Sequence, residues 1–254
     1  VPMIALDLAA FGRPDLDHRM LRGGLPPMFL AARLDDRDFE EWLSSYWAKD
    51  LSEFFIVEKR AAFLRFAEML LAQSGGLFEA TRFASPCEVS RGTIINYLKA
   101  LEATFVVHLV RPFSSRRPTE IVSAPKVYGF DTGFVCHYRG WTRLRREDMG
   151  LLWEHFVLNE LQARLQARAL HYWRDKQGHE VDFVLPGRKG SPTVIECKWS
   201  ADGFEPSNLL VFRRRYPAGV NFVVSPDTRR PFGRRYRGIV VRFVSLQELI
   251  DHLT

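Results

Sequence analysis

Cysteine is scarce in this chain, and each one stands alone. Cys87, Cys136 and Cys197 lie far apart, and none belongs to a Cys-x-x-Cys pair or a Cys/His spacing. That pattern argues against a zinc site and a disulfide framework, and it fits the reducing cytoplasm. The patterns GxxxxGK[ST], GxGxxG and GxSxG are also missing. The chain therefore has no phosphate-cradling loop, dinucleotide turn or nucleophile elbow of its own. No apolar run approaches the roughly 20 residues that cross a bilayer, and no stretch resembles a secretory signal. A membrane is not an expected partner.

Apolar residues are plentiful. They make up 46% of 254 residues, with 20 phenylalanines, enough for one large core or two smaller ones. The formal net charge is +6 and arginine dominates it, in clusters at Arg143, Arg145 and Arg146, at Arg213 to Arg215, and at Arg229, Arg230, Arg234, Arg235 and Arg237. Guanidinium groups match phosphate geometry, so nucleic acid, DNA first, is the natural partner. An arginine-rich genome would raise all these clusters alike, so the charge permits this partner without requiring it.

Two strings carry the chemistry. Gly178-His179-Glu180-Val181-Asp182-Phe183-Val184-Leu185 and Thr193-Val194-Ile195-Glu196-Cys197-Lys198-Trp199 read as buried strands, rich in β-branched and aromatic residues. Alternation along a strand puts Glu196 and Lys198 on one face and Cys197 on the other. If the two strands pair so that Asp182 meets Glu196 and Lys198, two carboxylates and an ammonium share one pocket. Two carboxylates hold a hard cation such as Mg²⁺ or Mn²⁺, and a neighbouring lysine can orient water or offset phosphate charge.

This arrangement resembles the PD-(D/E)xK nuclease signature, an Asp followed after a short gap by Glu-x-Lys. The gap here is the 13 residues from Phe183 to Ile195, with a Gly- and Pro-rich loop suited to a hairpin. The resemblance implies metal ligands Asp182 and Glu196, a catalytic Lys198, and a third acid on the preceding helix, for which Glu154 is the candidate. Some nucleases of this class carry a Gln and a Tyr four residues apart on the helix after Glu-x-Lys. Phe212 and Tyr216 stand in that place, so the amide is missing.

Three regions are expected. Residues 1–58 read as a helical segment whose aromatic helix carries Phe39, Trp42, Leu43, Tyr46 and Trp47, with no obvious core of its own. Residues 59–140 read as a winged helix-turn-helix. Ser90 caps a helix whose apolar face is Ile94, Leu98 and Leu101 and whose outer face offers Arg91, Thr93, Asn96 and Lys99. A strand containing His108, a packed structural histidine, leads to a basic wing tip with Arg116 and Arg117. The helix would enter a major groove and the tip would reach phosphate. Residues 141–254 follow the order αβββαβ, that of a restriction-endonuclease-like fold. The fold class is thus mixed, α+β followed by α/β.

Four further strings complete the picture: Arg22-Gly23-Gly24-Leu25-Pro26, Ala124 to Gly133 (APKVYGFDTG), Trp153 to Leu161 (WEHFVLNEL), and Tyr172-Trp173-Arg174-Asp175-Lys176 leading into the acidic strand. Together they resemble the C-terminal half of the DUF4143 family of prokaryotic AAA-type ATPases, over nearly the whole chain. The resemblance implies an ATPase domain, in cis or in trans, through which alone ATP would enter. It implies that residues 1–58 end that domain, and it leaves oligomers open. Two readings of the function remain: a metal-dependent nuclease, or a nuclease-like module that binds nucleic acid or protein without cutting.

Overall fold

The computed structural model describes residues 15–33, 35–46, 59–114, 124–165, 170–187 and 190–254. The chain divides into two compact units, Val1–Leu109 with Pro125–Leu144 and Val110–Ala124 with Arg145–Thr254.

In the first unit, helices α1 (Asp15–Arg22), α2 (Pro26–Leu30), α3 (Asp36–Tyr46), α4 (Arg60–Ala72), α5 (Ala80–Ala84), α6 (Arg91–Ala103) and α7 (Thr132–Tyr138) surround short strands. Strand β1 (Gly76–Leu77) pairs antiparallel with β3 (Lys126–Gly129), and β2 (Val107–Pro112) follows α6. Phe63, Phe66 and Leu70 of α4 pack with Phe83, Ile94, Tyr97, Leu98 and Leu101. The three-and-four spacing of these apolar positions turns one face of each helix inward. Ser90 caps α6 by accepting a hydrogen bond from the Thr93 backbone N–H at 3.0 Å. At its other end Phe105 takes φ +61° while the Val106 N–H donates to Leu101 O at 2.9 Å, a left-handed closure of the helix.

Helices α2 and α3 close a second cluster with α4 and α7, of Met28, Phe39, Leu71 and Phe134. The aromatic helix α3 thus packs on α7, with Phe39 edge-on to Phe134 at 4.9 Å. Asp131 welds this region together. Its buried carboxylate caps α7 by accepting from the Gly133 N–H at 2.8 Å, accepts from the Gly24 N–H at 2.6 Å, and lies 4.0 Å from buried Arg19. Gly23 sits at φ +81°, and a Cβ there would overlap the Asp131 carboxylate. The Arg-Gly-Gly and Asp-Thr-Gly strings are therefore two halves of one structural joint.

Burial lowers the His108 imidazole from 6.5 to about 4. The folded state keeps His108 neutral, so stability is full above pH 6.5 and is lost as the pH falls towards 4. His108→Leu should remove a pH-dependent loss of up to about 3 kcal/mol, read as the difference between wild-type and variant unfolding curves from pH 7 to 4.

The second unit is a mixed sheet in the order β2-β4-β5-β6-β7-β9-β8. Its strands are the end of β2, β4 (His171–Arg174), β5 (Glu180–Leu185), β6 (Thr193–Cys197), β7 (Asn221–Val224), β8 (Phe232–Tyr236) and β9 (Ile239–Val244). Pairs β4–β5, β5–β6 and β8–β9 are antiparallel, whereas β2–β4, β6–β7 and β7–β9 are parallel. Strand β7 is buried throughout, as a strand covered on both faces must be. Helix α9 (Ser207–Arg215) lays Leu209 and Phe212 on Val181, Val194, Val223 and Phe243. Helix α8 (Met149–Leu165) packs on β6 and on α10 (Leu246–Leu253), which in turn covers β7.

Strand β8 departs from the expected order αβββαβ. Its sequence FGRRY lacks an apolar alternation because it is an exposed edge. The hairpin to β9 turns on Arg237 (φ +46°) and Gly238 (φ +89°), two left-handed residues of the kind that match strand twist.

Candidate functional site

The register of β5 and β6 builds the site. Phe183 pairs with Ile195, so the next step towards the strand ends sets Asp182 opposite Glu196. Directly opposed residues point to the same face. The Cys197 backbone N–H donates to Asp182 Oδ2 at 2.8 Å and fixes that carboxylate. Lys198 is two residues past Glu196 on the same face. Its Nζ donates to Glu196 Oε2 at 3.0 Å and to Asp182 Oδ2 at 3.4 Å. The three residues sit at the carboxyl end of parallel β6 and β7, where the Lys198 N–H donates to Val224 O at 3.1 Å.

Electrostatics follow from this packing. Burial and then the Asp182 charge raise the Glu196 carboxyl, against the pull of Lys198. Burial alone would lower the Lys198 ammonium, but Asp182 and Glu196 together hold it above its ordinary value. Burial, followed by Asp182 and Glu154, pushes the Cys197 thiol well up, which makes it a poor nucleophile.

Glu154 approaches from α8. Its neighbour Trp153 donates from Nε1 to Val224 O at 3.0 Å, the carbonyl that Lys198 N–H also uses. This ties α8 to the strand ends, and the charge of Glu154 is felt at the Cys197 thiol. Asp182, Glu196 and Lys198 are thus drawn together by direct bonds, with Glu154 at their margin. Among the described residues, no three His, Cys, Asp or Glu side chains close on one point as metal ligands. The ammonium bridging two carboxylates nevertheless marks a cation position, and the donors are hard oxygens suited to Mg²⁺ or Mn²⁺.

The sequence signal did not reach the supports around these residues. Asp227 accepts from the Ala201 N–H at 3.0 Å and pins the loop after Lys198. Trp199 meets Trp153 edge-on at 6.2 Å. Only the proximity of Trp153 to Glu154 in the sequence hinted at an anchor. Phe212 and Tyr216 are both core residues, packed against Phe113, with Phe212 also against Trp173, so a buried ring fills the place of the amide.

On α6, Arg91, Asn96 and Lys99 are exposed, whereas Thr93 is half-buried and hydrogen-bonds Ser90 Oγ at 2.9 Å. Arg116 and Arg117 lie outside the described residues. One member of the expected phosphate clusters is spent structurally. Arg213 is buried and donates to Asn221 Oδ1 at 2.6 Å and to the carbonyls of Pro192, Tyr216, Ala218 and Val220. The three cysteines are buried free thiols, and among the described residues no helix is long and apolar enough to cross a membrane.

Comparison with known proteins adds the following. Uncharacterized proteins of Mycobacterium tuberculosis and Mycobacterium bovis (Rv2008c and Mb2031c) are each 31% identical over 204 residues, 78% of this chain and 46% of theirs. The chain thus spans about half the length of the curated relatives it matches. A refined half-complex from a tetradecameric assembly of Thermococcus gammatolerans McrB AAA+ hexamers with bound McrC is 14% identical, with 79% of this chain and 52% of that chain covered. Its TM-score of 0.29 carries no argument about fold or partner. Two family profiles of unknown function match in succession. The chain belongs to the DUF8612 family, whose profile covers residues 13–145, and it carries a DUF4143 domain over residues 149–246.

Proposed function

We propose that the second unit is a PD-(D/E)xK nuclease-like domain of restriction-endonuclease-like fold that cleaves nucleic acid, DNA first, with a divalent metal. One observation carries this reading. Asp182 and Glu196 oppose each other on adjacent strands with the Lys198 ammonium bridging them. Asp182 and Glu196 would hold Mg²⁺ or Mn²⁺, which when bound supplies a water of lowered pKa and positive charge for the phosphate. Asp182 is oriented for this by the Cys197 N–H. Lys198 places a permanent positive charge beside the attacked phosphate, and Glu154 adds a third carboxylate from α8.

In the same reading α4, α5 and α6 with the strands after them form a winged helix. Arg91, Thr93, Asn96, Lys99, Arg116 and Arg117 would contact the nucleic acid there. The Thr93 hydroxyl is engaged in the α6 cap, which makes Arg91, Asn96 and Lys99 the stronger contacts. The family resemblance and the greater length of the relatives favour work beside an AAA-type ATPase domain, in the cytoplasm, with ATP entering only through that domain.

A second reading is a binding module that no longer cuts. It is favoured by the closed Lys198 bridge and by Phe212 in place of an amide. The deciding experiment is cleavage of labelled single- and double-stranded DNA in Mn²⁺ and Mg²⁺ by the wild type, Asp182→Ala and Lys198→Ala. Metal-dependent cutting that both variants lose is the expected result. Binding without cutting, unchanged in both variants, would establish the inactive module.

A further inference from the structure

A cleft of about 530 Å³ runs along the outer side of α9 beneath the β8–β9 hairpin, lined by Ser207, Leu210, Val211, Arg214, Arg235 and Arg237. All three arginines are exposed. Arg215 of α9 and Arg234 of β8 are exposed as well. Among the described residues, the ion pair drawn from this set is Arg234 with Asp202, 3.4 Å apart with both side chains largely exposed. An edge strand needs one or two charges to block unwanted pairing. Arg234 and Arg235 on β8 meet that need, whereas Arg214 of α9 and Arg237 of the turn add to Arg235 around a concave surface with an apolar floor.

We infer that this cleft and its three arginines, Arg214, Arg235 and Arg237, bind the sugar–phosphate backbone of a nucleic acid strand, a binding surface separate from the Asp182 site and from α6. Guanidinium forks bind phosphate oxygens in pairs, the Ser207 hydroxyl adds a donor, and Leu210 and Val211 give a sugar or base an apolar seat. Three guanidinium groups from α9 and the hairpin exceed the needs of one phosphate, which favours a polyanion over a small anion. Glu205, which also lines the cleft, repels phosphate and so marks where the strand must turn away. The inference does not depend on cutting.

The test is fluorescence anisotropy of a labelled single-stranded DNA of about twenty nucleotides, titrated with the full chain between about 50 and 300 mM salt. The proteins are the wild type, Arg214→Ala/Arg235→Ala/Arg237→Ala, and Arg164→Ala, an exposed arginine of α8 outside the cleft. The triple variant should bind at least tenfold more weakly, with a salt slope shallower by about two to three. Arg164→Ala should bind as the wild type does, which separates this surface from the general positive charge of the chain. If the triple variant fails to fold, Arg214→Glu, at an exposed position, reads the same loss. An unchanged affinity and salt slope, absence of binding by the wild type, or equal affinity for a mononucleotide such as dTMP would overturn the inference.

Discussion

Lys198→Met should lower the stability of the second unit by about 3–5 kcal/mol at neutral pH, because it leaves two facing carboxylates without their cation. The loss should depend steeply on pH. Glu196 is already raised above 4.5 by burial and by Asp182, and removing the ammonium raises it further. Above pH 4.5 the unfolded chain has released this proton while the folded variant keeps it, so stability is present at low pH and falls as the pH rises. Both proteins should therefore lose stability in parallel from pH 4.5 upward and diverge only above about pH 8, where Glu196 ionises in the folded wild type but not in the variant. Adding Glu196→Gln to Lys198→Met should recover most of the difference, since a neutral amide needs no counter-charge. A difference that stays flat with pH would show that the ammonium is not what stabilises the paired acids.

Asp131→Ala is the second large effect, expected at about 3–5 kcal/mol in the first unit. Three losses coincide. The α7 cap disappears, the Gly24 N–H loses its acceptor, and buried Arg19 loses the carboxylate 4.0 Å away. Asp131→Asn keeps a capping oxygen and discards the charge, so it should fall between wild type and alanine. Denaturant unfolding followed by tryptophan fluorescence reads this, because Trp42 packs against Phe130 and Phe134 next to the joint. Equal stability of all three proteins would reduce the joint to a packing detail.

The same joint marks what the sequence could and could not convey. The strings around Gly23 and Asp131 stood out, but their bond spans 107 positions of chain, and no local pattern announces such a pairing. Local signals did better. Ser90 was readable as a cap and Ile94, Leu98 and Leu101 as a buried face, because both follow from neighbours within one helical turn. The acidic strands were readable because β-branched runs bounded by glycine and proline leave few alternatives. The register that sets Asp182 against Glu196 was only a condition in the sequence, and the hairpin supplies it. Strand β8 escaped because its arginines read as a phosphate-suited cluster without apolar alternation, while its pairing depends on β9. Arg213 misled for a related reason. Adjacent arginines look alike in sequence, yet the helical turn buries Arg213 and exposes Arg214 and Arg215. The helical segment at the start gave no sign that α7, more than 80 positions later, would cover it.

The central claim is that Asp182 and Glu196 form a cation site in which Lys198 now stands. Mn²⁺ binding, followed by electron paramagnetic resonance in the wild type, Asp182→Ala and Lys198→Met, tests it most directly. The account predicts one site in the wild type that weakens with Asp182→Ala, strengthens as the pH rises and Glu196 ionises, and tightens in Lys198→Met once the competing ammonium is gone. Mn²⁺ binding that ignores Asp182→Ala, or none in either the wild type or Lys198→Met, would contradict it.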